Sequence, residues 1–172
     1  MDNKLPLFVD YSNKVVVITG AGGVLCSEMA RAFALCHAKV ALLDLHYSAA
    51  EAKAEEIRAL GGIAKGYEAN VLDKDSLEKA HQAILADFGK CDILINGAGG
   101  NSPKASTSQE FYEPKVDSST ISFFDLKTEG FQFVFNLNIL GTLLPTQVFA
   151  NDMLGKEGCS ILNISSMNAF TP

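Results

Sequence analysis

Short β-branched runs alternate with longer amphipathic stretches along almost the whole chain, and this alternation leaves few folds open. Residues 14–19 (KVVVIT), 39–43 (KVALL), 63–69, 91–95 (CDILI) and 159–164 (CSILNI) read as strands. Residues 28–37, 48–60, 75–88 and about 131–154 carry helical patterning between them. Gly61-Gly62 and Gly89 stop the second and third helices, and Asp75 with Glu78 stands at capping-box spacing in the third. Pro145 is expected to kink or divide the last helix. A strand–helix–strand order brings the chain back to the same end of a sheet, so neighbouring strands run parallel. Helices then cover both faces, which suits strands with no polar side. The expected class is α/β, a doubly wound parallel sheet in three layers, as a single domain over residues 1–172 with no internal repeat.

Composition narrows the function. Of the 172 residues, 48% are apolar, enough for one buried core. The net charge is −6 with no Lys/Arg-rich run, so neither nucleic acid nor an anionic membrane is the expected partner. No apolar stretch is expected to approach a membrane span, and MDNKLPLFVD lacks the pattern of a signal peptide, so a cytoplasmic location is expected. Cys26, Cys36, Cys91 and Cys159 form no CxxC pair, and His37, His46 and His81 do not cluster with them. Reduced, buried thiols and no metal site are expected. Residues 100–120, rich in Ser, Thr, Pro and Lys, read as a long loop of the length that usually carries function.

In a doubly wound sheet the ligand binds at the carboxyl ends of the strands, near the point where strand order reverses. The segments that follow strands are therefore the informative ones. The first, TGAGGVLC at residues 19–26, lies between a strand and a helix. Glycines let the backbone turn tightly and approach a pyrophosphate with no Cβ in the way. The helix behind them offers free N–H groups and a positive dipole end. Gly20, Gly22, Gly23 and Leu25 are the candidates for this contact. Asp44 closes the second strand, where a carboxylate accepts hydrogen bonds from an adenosine ribose diol and repels a 2′-phosphate. Leu45, His46 and Tyr47 follow it with no arginine, which favours NAD over NADP. The plain alternatives are a glycine-rich turn without a ligand and an aspartate that caps the next helix.

These residues carry a resemblance to the short-chain dehydrogenases/reductases, whose signature after the first strand is TGxxxGxG. Thr19 and Gly20 match it, while Val24 and Cys26 stand where the two later glycines usually are. Gly22-Gly23-Val24-Leu25 resembles the TGGGGVLG-like run of a fructuronate reductase (D-mannonate oxidoreductase)-like subgroup. Cys26 departs from both patterns. The last glycine permits close helix–strand packing, so a cysteine there is expected to push the helix outward and weaken cofactor binding. A thiol activated by the helix N-terminus is the competing idea.

The resemblance implies further roles. Asn70-Val71 stands where the family has Asp-Val against the adenine, a solvent-facing turn being the alternative. Asn96-Gly97-Ala98-Gly99 is similar to the family's NNAG, whose small residues let the backbone lie against the cofactor. Asn96, Ala98 and Gly99 are thus cofactor candidates, Asn96 also tying neighbouring strands together. Asn138, in FNLNILG, resembles the helix asparagine that kinks its helix and holds a water in a proton relay. The alternative is an asparagine bonded to a neighbouring turn. Ser166, the second serine of ILNISS, resembles the serine that polarises the substrate carbonyl. Asn138 and Ser166 are the catalytic candidates.

The family's reaction also uses a Tyr-x-x-x-Lys pair beyond that serine, the lysine lowering the tyrosine pKa. None follows Ser166 here. The chain is accordingly expected to stop short of the pair, to lack the last strands of the sheet and to be inactive as it stands. The resemblance implies hydride transfer between NAD(H), less readily NADP(H), and a small carbonyl or alcohol substrate, in a homodimer or homotetramer. The GGVL run and the long loop point to a sugar acid such as fructuronate or mannonate. A non-catalytic NAD-binding sensor or scaffold is the first alternative, and a methyltransferase on a similar sheet is the more distant one.

Overall fold

The computed structural model describes residues 8–111, 114 and 119–166. Strands β1 (Val15–Thr19), β2 (Lys39–Asp44), β3 (Ile63–Glu68), β4 (Ile93–Asn96) and β5 (Ser160–Asn163) form one sheet in the order β3-β2-β1-β4-β5. Every pairing is parallel, with Val15 opposite Lys39, Val16 opposite Ile93, Lys39 opposite Ile63 and Ile93 opposite Ser160. The helices are α1 (Val24–Leu35), α2 (Tyr47–Ala59), α3 (Lys74–Asp87), α4 (Thr128–Phe135) and α5 (Gly141–Phe149). This is the α/β, Rossmann-type doubly wound sheet that the alternation predicts.

Successive side chains leave a strand on opposite faces, and β1 shows the consequence. Val16 and Ile18 pack with Ala30 and Ala34 of α1 and Ala50, Ala54 and Ile57 of α2. Val15 and Val17 pack on the other face with Leu77, Ala80 and Ile84 of α3 and Val148 and Phe149 of α5. A strand buried on both faces must be apolar throughout, which is why residues 14–19 show no polar alternation. Each such side chain contributes roughly 1.5–3 kcal/mol on leaving water.

The chain lays β1, β2 and β3 outward to one edge, then returns to place β4 on the other side of β1. The connection from β1 leads to α1 on one face, and that from β4 leads, by way of α4, to α5 on the other. The two connections part above the carboxyl ends of β1 and β4 and leave a crevice there.

Several local expectations are corrected. Helix α1 starts at Val24, earlier than residue 28, because extended Gly23 is its N-cap. Helix α3 is capped by Asp73, whose carboxylate accepts from Asp75 N at 3.0 Å and Ser76 N at 3.3 Å. Asp75 and Glu78 therefore lie inside the helix and form no capping box. The last helical run begins at Thr128, and its discontinuity is a π-helical turn at Asn136–Leu140, with Pro145 buried inside α5. Side chains serve carbonyls along this irregular stretch: Thr142 Oγ1 donates to Asn138 O at 3.0 Å and Thr146 Oγ1 to Thr142 O at 2.8 Å.

The run Thr128–Met153 also corrects the expectation about membrane-span length. By length and composition it is apolar enough to cross a membrane, with a mean hydropathy of 1.4. Gly141, Pro145, Val148 and Phe149 of this run are nevertheless buried, and Val148 and Phe149 belong to the core beneath the sheet. Within the run α5 packs beneath the sheet, while most of the apolar stretch is exposed or half-buried, with 22% of it buried. Residues 100–120 lie partly outside the described residues. Their base is closed by Ser108 and Ile121, with Ser108 N donating to Ile121 O at 3.0 Å and Ile121 N to Ser108 Oγ at 2.9 Å.

Candidate functional site

The carboxyl ends of β1, β2, β3 and β4 meet at a cleft of about 600 Å³. The turn after β1 forms its floor. Gly20 has φ +67°, the left-handed region that glycine enters without cost, and a Cβ on it would lie 2.9 Å from Ala98 Cα. Gly23 N donates to Gly20 O at 3.1 Å and closes the turn. Gly23 then caps α1 with no side-chain hydrogen bond and no acid in the first turn. The first-turn N–H groups of α1, at the cleft wall with Gly23, Val24 and Leu25, have no side-chain cap competing for them.

Asp44 reaches the cleft from the end of β2. Its Oδ2 accepts from Gly22 N and its Oδ1 from His46 N, both at 3.0 Å. A carboxylate oxygen has two lone-pair sites, so each oxygen keeps capacity for a diol. Gly22 lies behind this carboxylate and not in the cleft wall, since a Cβ on it would meet Oδ2 at 2.9 Å. The expected Gly22–cofactor contact is therefore corrected to a role in holding Asp44.

Asn70 folds a turn at the edge of the cleft. Its Oδ1 accepts from Leu72 N at 3.0 Å and its N donates to Ser76 Oγ at 3.0 Å, which folds the turn into α3. That turn places Asn70, Val71 and Leu72 in the wall.

The segment after β4 hangs from β1. Thr19, fully buried, accepts hydrogen bonds at Oγ1 from Gly97 N and Ala98 N, both at 3.1 Å. Gly97, Ala98 and Gly99 line the cleft. Asn96 does not. Only 2% exposed, it donates through Nδ2 to Thr146 Oγ1 and Asn163 Oδ1, both at 2.9 Å. Its side chain leaves β4 toward α5 and β5, so its part is the tie and not the cofactor contact.

Asn138, in the π-helical turn, accepts at Oδ1 from Gly100 N at 3.2 Å. Its Nδ2 donates to Gly100 O and Val134 O, both at 2.8 Å. Both amide protons are engaged within the protein. The side chain clamps the β4 loop to α4, and any water held here would be met by oxygen atoms of Asn138 and not by its amide protons. Ser166 is the third residue past β5, exposed and on the same carboxyl edge, but it is not part of the cleft wall.

Among the wall residues that sequence reasoning left out are Cys26, Leu45, Gly97, Phe133 and Leu137. Phe133 and Leu137 are four apart and so share a helix face. Their place just before Asn138 was the available signal. Cys26 is buried, and burial followed by the nearby Asp44 carboxylate holds its thiol above the ordinary thiol range. A helix N-terminus lowers a thiol's pKa, but here burial prevails and the thiol stays protonated near neutral pH. A second hollow, about 410 Å³, lies between α3 and α5 against Lys74, Glu78, His81 and Gln147. It takes no residue from a strand end, so the cleft above β1 and β4 is the site that the topology selects.

Known proteins resemble this chain in sequence and fold. An uncharacterized oxidoreductase of Haemophilus influenzae is 58% identical over 160 residues, 93% of this chain and 56% of that protein. The uncharacterized oxidoreductase UxuB of Bacillus subtilis is 45% identical over 168 residues, 98% of this chain and 60% of that protein. A provisionally named D-mannonate oxidoreductase from Haemophilus influenzae, crystallised with bound NAD, superposes with a TM-score of 0.92 at 57% identity. The superposition covers 95% of this chain and 58% of that one. The chain thus spans a little over half the length of these relatives. The short chain dehydrogenase model matches residues 14–172, and by that match the chain belongs to the short chain dehydrogenase family.

Proposed function

We propose that the cleft binds NAD(H) and that the protein transfers a hydride between the nicotinamide and the carbonyl or alcohol carbon of a small substrate. One observation carries this reading: an uncapped helix N-terminus and a strand-end carboxylate border the same cleft. The first matches a diphosphate and the second a ribose diol that carries no 2′-phosphate. The NAD held by the Haemophilus influenzae relative supports the same cofactor.

Bound NAD(H) supplies the hydride chemistry, and the protein supplies position and electrostatics. First-turn N–H groups of α1 hold the diphosphate. Asp44 takes the ribose diol, and Leu45, Val71 and Leu72 offer an apolar seat for the adenine. Ala98 and Gly99, held by Thr19 and by the Asn138 clamp on Gly100, form the wall toward the nicotinamide. Ser166 donates a hydrogen bond to the substrate oxygen as negative charge develops there. A serine hydroxyl is too weak an acid to give up the proton, so Ser166 polarises and another group protonates.

The proposed substrate is a sugar acid such as mannonate or fructuronate, supported by the Gly22–Leu25 run and the name of the NAD-bound relative. Assembly as a homodimer or homotetramer is supported by exposed Phe131, Phe135, Ile139 and Leu143 along the last helical run. The sensor or scaffold reading rests on two features, Cys26 at the place of a packing glycine and the Tyr-x-x-x-Lys pair not found after Ser166, and only the Cys26 half is affected by the structure. That support weakens because the thiol is accommodated against Gly97.

The test is a fluorescence titration of the protein, as expressed from its own gene, with NADH and NADPH, followed by turnover with fructuronate and NADH. Saturable NADH binding, tighter than NADPH, and ketose-acid reduction are expected. Absence of NADH binding would sink the cofactor reading. Binding with no turnover on any sugar acid would favour the sensor.

A further inference from the structure

Two departures from the family pattern meet in space. Cys26 stands where a glycine is usual and Gly97 where the second asparagine of NNAG is usual. The Cys26 thiol fills the space above Gly97, and a Cβ built on Gly97 would overlap the Sγ atom. The same Cβ would lie 2.9 Å from Thr19 O but 3.8 Å from Cys26 Cβ, an ordinary contact. The sulfur is thus the nearest obstacle, and the Thr19 carbonyl, a backbone atom, is a second one that stays when the sulfur is removed. Both residues line the cleft, Cys26 on the first turn of α1 and Gly97 on the loop after β4.

We infer that Cys26 and Gly97 are a matched packing pair that sets the separation between the α1 N-terminus and the β4 loop, and with it the width of the dinucleotide cleft. The thiol does not push α1 outward, because the missing side chain at residue 97 makes room for it. Cys26 is thereby a positioning residue. It reaches the cofactor through two backbones: the helix turn that carries the phosphate-binding N–H groups, and the Gly97–Gly99 wall hung from Thr19. A close-packed contact of this kind tolerates neither a lost nor an added methyl-sized group without a shift. The inference rests on the NAD(H) reading for its functional half and on packing alone for its structural half.

The test is a four-corner cycle of wild type, Cys26→Ala, Gly97→Ala and the double variant, in the protein as expressed from its own gene. Each is read by NADH titration and by thermal unfolding without cofactor. Gly97→Ala should weaken NADH binding at least twentyfold, because the new Cβ drives into the sulfur. Cys26→Ala should weaken it about two- to fivefold, because the loop loses its support. The double variant should bind NADH at least fivefold more tightly than Gly97→Ala, the residual loss reflecting the contact with Thr19 O. A double variant no better than Gly97→Ala would overturn the pairing. Should Gly97→Ala accumulate unfolded, recovery of folded protein in the double variant becomes the readout, and equal loss in both overturns the proposal. The unfolding midpoints separate the two halves. If wild type fails to bind NADH, a non-additive cycle in the midpoints still upholds the pair, and an additive one removes it.

Discussion

Replacing Thr19 with valine removes a hydroxyl and keeps the shape of a fully buried side chain. The hydroxyl oxygen accepts from Gly97 N and Ala98 N, both at 3.1 Å, so the change strips two backbone donors of their acceptor at once. An unsatisfied buried donor costs about 1–3 kcal/mol. Gly97 and Ala98 are only partly buried at this edge, so the lower half of that range applies and the pair should cost about 2–4 kcal/mol. For a domain of this size 1 kcal/mol shifts the unfolding midpoint by about 2–4 °C, which gives a drop of roughly 4–16 °C. Binding should fall further than stability alone predicts, because the released segment is the cleft wall. Calorimetry of wild type, Thr19→Val and Thr19→Ser, each with and without NADH, isolates the effect. Serine keeps the acceptor and should keep NADH binding. A Thr19→Val protein within about 1 kcal/mol of wild type, with unchanged NADH affinity, would refute the claim that this hydroxyl suspends the β4 loop.

Asp44→Ala should weaken NADH binding by at least tenfold and erase the preference over NADPH, as measured by parallel titrations; a retained preference would place discrimination elsewhere. Gly66→Ala should destabilise the fold without touching the cleft, because its Cβ would lie 2.6 Å from Glu51 N, a backbone atom that cannot step aside; an unchanged unfolding midpoint would contradict this packing. Burial alone would raise the Asp92 pKa, but the ammonium of Lys156 at 2.8 Å, the N–H of Val15 at 2.9 Å and the charge of Lys14 hold it below the ordinary aspartate range. A carboxyl with a depressed folded pKa stabilises the fold above its unfolded pKa, and that stabilisation is lost as pH falls through the folded value. The stability gap between wild type and Asp92→Asn should therefore be full near pH 7 and shrink on acidification toward pH 3. A gap that does not change with pH would remove Asp92 as its source.

What the sequence revealed and what it hid divide along a physical line. Strands β1, β2 and β4 were legible because burial on both faces forces continuous apolar runs, a property of each segment by itself, whereas β3, with alternating burial, and β5, exposed along its length, were legible only from their place in the strand–helix alternation. Asp44 was legible for a related reason: its meaning comes from standing at the end of β2, which chain order alone locates. Contacts between segments distant in the chain were not legible. Gly22 looked like a phosphate contact because its neighbours are. Only the folded chain shows the Asp44 carboxylate accepting its N–H and excluding a side chain there. Asn96 looked like a cofactor wall because Ala98 and Gly99 are, but its side chain leaves the strand toward Thr146 and Asn163. That direction depends on strand parity and on the identity of the β5 neighbour. Helix α1 was placed too late because Val24 and Leu25, apolar yet exposed, break the expected pattern of an inward apolar face. Cys26 carries the same argument furthest. Taken alone, a cysteine in place of a packing glycine predicts a displaced helix. Gly97 leaves open the volume that the thiol occupies, so that expected consequence does not follow. A departure from a family motif is therefore weak grounds for lost function until the residue that faces it in space is known.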